Sequence, residues 1–208
     1  MPTAREALLS AALAALSGLP WSGVRMVDVA SAAGVSRQTL YNEFGSKDGL
    51  ARALVRREAD AYLHGVERVL AHRADPADRL VSVAEWTVGE ARTRPLLRAL
   101  LTGCWGDRLP APRPAHRAGA AAVPAQRRAD AGPPGPADLL AAVRDRSLAA
   151  LEQARTGART REESQELAQR CELAVRLALS WVVAPAGDGV AALVRSAVSA
   201  PSPTAGGR

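Results

Sequence analysis

The sequence is poor in several residue types, and each shortage bears on what the chain can be. Isoleucine is absent, Phe44 is the only phenylalanine, and aromatic residues make up 3% of the 208 residues. Lys47 is the only lysine among 27 basic residues. This composition, rich in Ala, Arg, Gly and Pro, is what a GC-rich coding sequence imposes. The net charge of +6 and the pI near 10.5 are therefore weak indications of a nucleic-acid partner, and the position of the charges counts for more.

Long apolar runs and a cysteine framework are also missing. The run from Ala7 to Leu16 is interrupted by Ser10 and is too short to span a bilayer. The N-terminus lacks the basic region and the cleavage site of a secretory signal, so we expect a cytoplasmic protein with no membrane partner. Cys104 and Cys171 are too few and too far apart in sequence for a disulfide framework. Both are expected to be small buried apolar residues.

The most informative stretch, residues 27–44, has the pattern of two short helices joined by a tight turn. We expect the first helix over residues 27–33, followed by Gly34, which can adopt the positive φ that the turn needs. Ser36 can cap the second helix by accepting a backbone N–H group. The outward face of that helix carries hydrogen-bonding side chains that suit base edges and phosphates, namely Arg37, Gln38, Thr39, Tyr41 and Asn42.

The residues from Gly34 to Leu50 resemble the DNA-binding domain of the TetR family of transcriptional regulators. The resemblance covers about residues 6–54 and rests on the ordered series Leu-Tyr-x-x-Phe-x-Ser-Lys after the turn. It implies a homodimer that binds double-stranded DNA at a near-palindromic operator and responds to an unknown small-molecule effector. The family usually has Ser or Thr where this chain has Arg25. An arginine can reach a phosphate there, but it cannot cap the helix.

We predict a DNA-binding role for eight residues of this region. Arg37 and Gln38 are the first choices for reading bases, through paired hydrogen bonds to guanine and adenine respectively. Thr39 can meet a thymine methyl group. By the resemblance, Lys47 is the strongest phosphate contact, at a helix start where free amides add to the ammonium charge. The predicted set is Arg25, Ser36, Arg37, Gln38, Thr39, Tyr41, Asn42 and Lys47.

Helix starts are recognisable on both sides of this region. Thr3 with Glu6 and Thr160 with Glu163 have the spacing of capping boxes, and Asp75 precedes a proline as an N-cap does. Over residues 106–136 the apolar periodicity is lost, and half of the 14 prolines occur there. This segment is either a disordered or irregular connection or the product of a local reading-frame error, which also yields Arg, Ala, Pro and Gly.

The most apolar predicted helix follows Thr160 and ends before Pro185. A helix that is apolar on nearly every side must be covered on every side. A last helix over residues 190–198 can cover one face, and a second copy of the chain most simply covers the other, in a two-fold four-helix interface. The resemblance agrees, because TetR regulators dimerise through their last two long helices. The predicted interface residues are Leu173, Leu177, Trp181, Val190, Leu193 and Val194.

A ligand pocket is a further expectation from the resemblance. It would lie among the helices that carry Trp86, Leu101, Trp105 and Leu148, although each of these residues is more often ordinary core. His64 and His72 have no acidic or thiol partners at metal-ligand spacing. We therefore predict neither a metal site nor a cofactor.

Together these patterns predict an all-α protein. Residues 1–50 form a three-helix DNA-binding domain with a helix-turn-helix, residues 51–200 form a helical dimerisation and ligand-binding domain, and residues 201–208 form a flexible tail. The predicted function is a ligand-responsive regulator, a repressor by the family's usual mode. An enzyme is disfavoured because no catalytic arrangement or phosphate-binding loop occurs. The alternative is a protein–protein adaptor that keeps the fold but no longer reads DNA.

Overall fold

The computed structural model describes residues 3–72, 74–112, 132–154, 160–185, 187 and 189–199. Within these ranges every regular element is helical, which confirms the predicted all-α class. None of the described helices is long and apolar enough to cross a membrane. Besides a 3-10 turn at Trp21–Gly23, the helices are α1 (Ala4–Gly18), α2 (Met26–Ala32), α3 (Arg37–Phe44), α4 (Lys47–Leu70), α5 (Pro76–Thr93), α6 (Pro95–Thr102), α7 (Pro136–Gln153), α8 (Arg161–Val183) and α9 (Val190–Ser199).

The chain forms two compact units. The first, which we call the head, comprises the described parts of Met1–Asp60 and Gly103–Pro134, and the second, the body, comprises those of Ala61–Thr102 and Gly135–Arg208. The units divide within α4, whereas the predicted domain boundary at residue 50 stays a prediction. Most of the predicted irregular connection, residues 113–131, and the predicted tail lie outside the described residues.

The three predicted helix starts are present, although at Thr3 only the hydroxyl half of the predicted capping box forms, and the Glu6 carboxylate instead lies 3.7 Å from Arg57. The Thr3 hydroxyl accepts the Glu6 N–H at 3.2 Å, and the Asp75 carboxylate accepts the N–H of Ala77 at 2.8 Å. Thr160 and Glu163 form the full capping box, with side-chain to backbone distances of 3.2 and 2.9 Å. These bonds satisfy amides that have no partner inside the helix, so each helix begins where its cap residue stands.

The head is built from α1, α2 and α3 packed on one another, together with the start of α4. Gly34 has a φ of +67°, as the turn between α2 and α3 requires. Apolar side chains of α1 and of the helix-turn-helix form the core of the head. They include Leu8, Leu9 and Ala12 of α1 and Val29, Ala30, Leu40 and Phe44 of the helix-turn-helix.

The body is a helical bundle in which α5 packs against α8 and α9, and α7 packs against α8. Tyr62 is fully buried, its ring stacks on Trp86 with centroids 5.4 Å apart, and its hydroxyl lies 3.0 Å from the Thr87 hydroxyl. Cys171 is buried, whereas Cys104 is exposed. The expectation that both cysteines are core residues was therefore wrong for Cys104, which follows the end of α6 in an irregular segment.

Candidate nucleic-acid interface

The turn between α2 and α3 fixes where the reading helix begins. The Ser36 hydroxyl accepts the N–H of Thr39 at 3.0 Å and lies 2.9 Å from the Thr39 hydroxyl. Ser36 is thus the N-cap of α3, as predicted from its hydroxyl and position. Arg37 and Gln38 consequently lie in the first turn of α3, next to the positive end of its dipole.

The outward side of α3 is a polar, exposed surface. Arg37, Gln38, Tyr41 and Asn42 are exposed and Thr39 is half-buried, while Leu40 and Phe44 face the core. Tyr41 keeps 41% of its surface exposed, so it is not a core aromatic. The Gln38 amide donates to the Asn42 Oδ1 at 2.9 Å. We call this face the reading surface, and it consists of Arg37, Gln38, Thr39, Tyr41 and Asn42.

Arg25 stands at the N-cap position of α2 and makes no side-chain cap, as expected for an arginine. Its guanidinium instead forms two hydrogen bonds to the Asp28 carboxylate, at 2.8 and 3.0 Å. This hydrogen bonding holds the pKa of the Asp28 carboxyl below its usual range. The Arg25 side chain stays exposed, so the pair leaves the guanidinium accessible to a phosphate.

Lys47 begins α4 and is held within the head. Its ammonium donates to the Ser22 carbonyl at 3.3 Å and lies 5.1 Å from the centroid of the Trp21 ring. This environment buries part of the side chain and lowers the pKa of the ammonium group. The Trp21 backbone N–H in turn donates to the Arg108 carbonyl at 2.9 Å. The lysine predicted to bind a phosphate therefore has partners of its own in the free protein.

The corner between α3 and α4 depends on Gly49. The Ser46 hydroxyl caps α4 by accepting the Gly49 N–H at 3.1 Å. A Cβ atom added at Gly49 would lie 1.8 Å from the Phe44 carbonyl oxygen, far inside van der Waals contact. The close approach of the two helix ends therefore requires glycine, and it sets the position of Lys47 relative to the reading surface.

Two residues near the reading surface, Arg5 and Glu43, were not predicted from the sequence. The Arg5 guanidinium, from α1, lies 3.3 Å from both the backbone carbonyl and the carboxylate of Glu43, at the end of α3. It also lies 4.8 Å from the centroid of the Phe44 ring. The one available signal was a cation in the first turn of a helix, where an acidic residue is favoured.

The predicted ligand-pocket residues fall in different units. Trp86, Leu101 and Leu148 belong to the body, whereas Trp105 belongs to the head. Trp86 packs on Tyr62, and Leu101 is buried. The prediction of a pocket among these four stays a prediction.

The body contains an open groove of about 460 Å³ that involves other residues. The Arg146 guanidinium in it pairs with Glu67 at 2.8 Å, and Arg79 lies 3.5 Å from the Ala150 carbonyl at the end of α7. The groove is lined by Glu67, Leu70, Ala71, Arg79, Arg146, Ala149, Ala150, Gln153 and Ala154. Its volume falls in the range of small-molecule sites, although both arginines already have partners.

The predicted dimer residues differ in exposure. Leu173 and Leu193 are exposed, at 39% and 42%, and Leu177 and Trp181 are half-buried. Val190 and Val194 are instead buried inside the single chain, because α9 turns them toward α5 and α8. An interface on this side of the body therefore has the first four residues available, and the two valines serve as core.

Known proteins with similar sequences share the N-terminal region. The family model described as bacterial regulatory proteins, tetR family, matches residues 8–54. The HTH-type transcriptional regulator AlkX of Mycobacterium tuberculosis is 38% identical over 100 residues, which are 48% of this chain and 47% of that protein. The chain therefore spans about half the length of this relative.

Solved structures resemble the chain over most of its length. The TetR family repressor AlkX from Dietzia sp. strain DQ12-45-1b, implicated in biodegradation of n-alkanes, has a TM-score of 0.53 at 24% identity and covers 93% of this chain and 90% of its own. A tetR-family regulator from Streptomyces coelicolor has a TM-score of 0.55 at 20% identity, covering 95% and 79%. At such identities the likeness establishes the fold, including the helical C-terminal part.

Proposed function

We propose that this chain, whose residues 8–54 match the model of the tetR family of bacterial regulatory proteins, is a sequence-specific DNA-binding transcriptional regulator. The observation that carries the proposal is the reading surface on α3, which is exposed, polar and fixed in place by the Ser36 cap. An exposed helix of this kind, supported by a second helix, fits the major groove of DNA. We place its action in the cytoplasm.

The residues of the head divide into base-reading and backbone-binding groups. Arg37 and Gln38 read guanine and adenine, and Thr39 meets a thymine methyl group. Gln38 is already hydrogen-bonded to Asn42, which holds its amide in one orientation before DNA arrives. The remaining proposed contacts go to phosphates, from Arg25, Ser36, Tyr41 and Lys47.

Two copies of the chain form the DNA-binding unit in this proposal. The exposed Leu173 and Leu193, with Leu177 and Trp181, supply an apolar face on α8 and α9 that a second copy covers. Two heads related by a two-fold axis place their reading helices roughly 34 Å apart, in successive major grooves of a near-palindromic operator.

Regulation by a small molecule completes the proposal. The groove beside Arg146 offers the body room for an effector. An effector can act by favouring one spacing of the two heads. A coupling free energy of only about 1–3 kcal/mol between effector and operator binding changes the operator affinity by a factor of about 5 to 150. Repression is the mode we propose.

The experiment that tests this function is selection of bound duplexes from a random DNA pool, with the salt concentration and the mass of the protein recorded. We expect a near-palindrome whose recovery is altered at defined positions by Arg37→Ala and Gln38→Ala. Arg161→Ala, which removes an exposed arginine of the body, is the matched control and should select the same duplex. A folded dimer that selects no motif would contradict the proposal.

A protein–protein adaptor is the second candidate. Two residues proposed to bind phosphates already have hydrogen-bond partners within the protein, which favours this candidate. Arg25 is bonded to Asp28, and Lys47 is bonded to the Ser22 carbonyl. For the adaptor, no duplex is selected by either the wild-type protein or Arg37→Ala, and both retain the same protein partner. For the regulator, Arg37→Ala loses operator binding while its dimer remains intact.

A further inference from the structure

Arg5 occupies a place that helix electrostatics disfavour. It lies in the first turn of α1, at the positive end of that helix, where a cation weakens the helix and an anion strengthens it. The positive charge of Arg5 therefore does not stabilise α1. The side chain leaves its own helix and reaches the last turn of α3, where it contacts Glu43 and the ring of Phe44.

The contact gives a partner to one carbonyl at the end of the reading helix. The last carbonyls of a helix have no partner within it. In α3 the Tyr41 carbonyl accepts the Gly45 N–H at 2.8 Å, and the Phe44 carbonyl accepts the Ser46 N–H at 2.8 Å. The Glu43 carbonyl between them accepts from Arg5 at 3.3 Å. One guanidinium thus ties the end of α3 to α1.

The same guanidinium also faces the one acidic side chain of α3. Glu43 directly follows Asn42 of the reading surface, and its carboxylate lies 3.3 Å from the Arg5 Nη1. A carboxylate without a partner at this place would repel the phosphates of an approaching duplex. The pair with Arg5 removes this repulsion and directs the carboxylate toward α1.

We propose that Arg5 is a positioning residue for DNA reading, which neutralises the Glu43 carboxylate and holds it toward α1. This inference rests on the proposed function and adds a residue to it. Arg5 acts through Glu43, and it makes no contact with a base or a phosphate. Its loss therefore harms binding only while Glu43 carries its negative charge.

A double-mutant cycle in the 208-residue chain tests the proposal. The four proteins are wild type, Arg5→Met, Glu43→Gln and the double variant, each measured against the selected duplex and against an unselected duplex at one salt concentration. Methionine keeps the length and helix propensity of residue 5, and glutamine keeps the shape of residue 43. Arg161→Met, which removes one positive charge from the body, is the control for net charge.

We expect Arg5→Met to weaken binding of the selected duplex about threefold per head, which corresponds to the loss of one exposed ion pair. A dimer loses two such pairs, so its affinity should fall about tenfold. In the Glu43→Gln background the same substitution should change the affinity less than about twofold. Arg161→Met should bind as the wild type does. Urea unfolding of the same proteins shows that each is folded at the temperature of the binding assay.

Three other outcomes would overturn the inference. Equal losses from Arg5→Met in both backgrounds would mean that Arg5 does not act through the Glu43 charge, but through the Glu43 carbonyl or by a direct contact with DNA. Four equal affinities would mean that the pair is a surface contact with no role in reading. Failure of the wild-type protein to select any duplex would overturn the proposed function itself and the inference with it, and this result is distinct from the other two.

Discussion

At the scale of single residues, Gly65 shows how a close approach between helices can require glycine. A Cβ atom at Gly65, inside α4, would lie 2.1 Å from two ring atoms of Trp86. A Cβ atom added at Gly89, inside α5, would have no such neighbour within 4 Å. Both glycines are helical, so the two sites differ in the space beside them and not in their backbone.

We predict opposite effects for alanine at these two glycines. Gly65→Ala should lower the free energy of unfolding by about 1–3 kcal/mol, because the Tyr62–Trp86 stack must shift. Gly89→Ala should raise it by up to about 1 kcal/mol, because alanine is the better helix former. Urea unfolding of both variants measures the difference. An equal gain from both would show that the Trp86 ring moves aside freely.

The buried Tyr62 predicts a loss of stability in alkali. Burial raises the pKa of Tyr62 to about 12, and the hydrogen bond to Thr87 opposes this rise without cancelling it. An unfolded tyrosine ionises near 10. Between these two values the unfolded chain releases a proton that the folded chain retains. Tyr62 therefore contributes its full stability below about pH 10 and loses it as the pH rises toward 12, by about 2–3 kcal/mol in total.

Unfolding in urea between about pH 9 and 12 checks this direction. Tyr62→Phe keeps the ring but cannot ionise, so its stability should fall less steeply than that of the wild type over this range. In Tyr41→Phe, Tyr62 is the only tyrosine left, and its tyrosinate absorbance should appear together with unfolding. Ionisation of Tyr62 in the folded protein near pH 10 would contradict the prediction.

Residue-scale predictions from the sequence succeeded where the cause is local. Gly34 and Ser36 were predicted because a turn and a cap depend on their immediate neighbours. Gly49 was not predicted, because its need for glycine comes from the position of the Phe44 carbonyl after the chain has folded. The helix start at Lys47 was predicted, and its phosphate contact stays a prediction. Its bond to Ser22 depends on a residue 25 positions away.

At the scale of helices, the capping box of α8 predicts a stability difference between two adjacent residues. Thr160→Ala removes the hydroxyl that accepts the Glu163 N–H at 3.2 Å, and should cost about 1 kcal/mol. Arg161→Ala leaves the cap intact and removes a cation from the positive end of α8, so stability should stay the same or rise slightly. Thermal unfolding of both variants checks this order. Wild-type stability of Thr160→Ala would mean that α8 does not depend on its cap.

Helix starts were predictable because cap residues lie within a few positions of the amides that they bind. The side-chain contacts that join one helix to another were much less predictable. Arg5 and Glu43 are 38 positions apart, and no periodicity in either helix signals that they meet. Arg57 likewise joins α4 to α1 through the Leu9 carbonyl, at 3.2 Å. Such contacts depend on the crossing of helices, which follows from the packed core.

At the scale of the whole molecule, the proposed dimer predicts an effect of charge on the apolar face of α8 and α9. Leu173→Glu and Leu193→Glu should each place a carboxylate in the interface and convert a dimer to monomers. Leu13→Glu, on α1, changes a leucine of similar exposure, 38% against 39% for Leu173, and should leave the dimer intact. Sedimentation at several protein concentrations measures the outcome. Dimers in all three variants would place the interface elsewhere.

The sequence predicted which helices carry apolar faces, but not what covers each face. Val190, Leu193 and Val194 occupy neighbouring positions on one short helix, and all three were assigned to the interface. The structure buries the two valines within the chain and leaves Leu193 exposed. The apolar periodicity of a helix does not distinguish a face that packs on α5 from a face that a second copy of the chain would cover, because both faces are apolar.

The position of Lys47 has a consequence for how the head can be observed. Apart from the α-amine, the chain has a single amine, and it lies over the indole of Trp21. Reductive methylation with isotope-labelled formaldehyde therefore places one spectroscopic probe at the corner of the head, with its resonance shifted by the aromatic ring current. Release of Lys47 from Trp21 and Ser22 to a DNA phosphate would move that resonance toward the position of a solvent-exposed lysine. One signal thus distinguishes the resting head from the bound one.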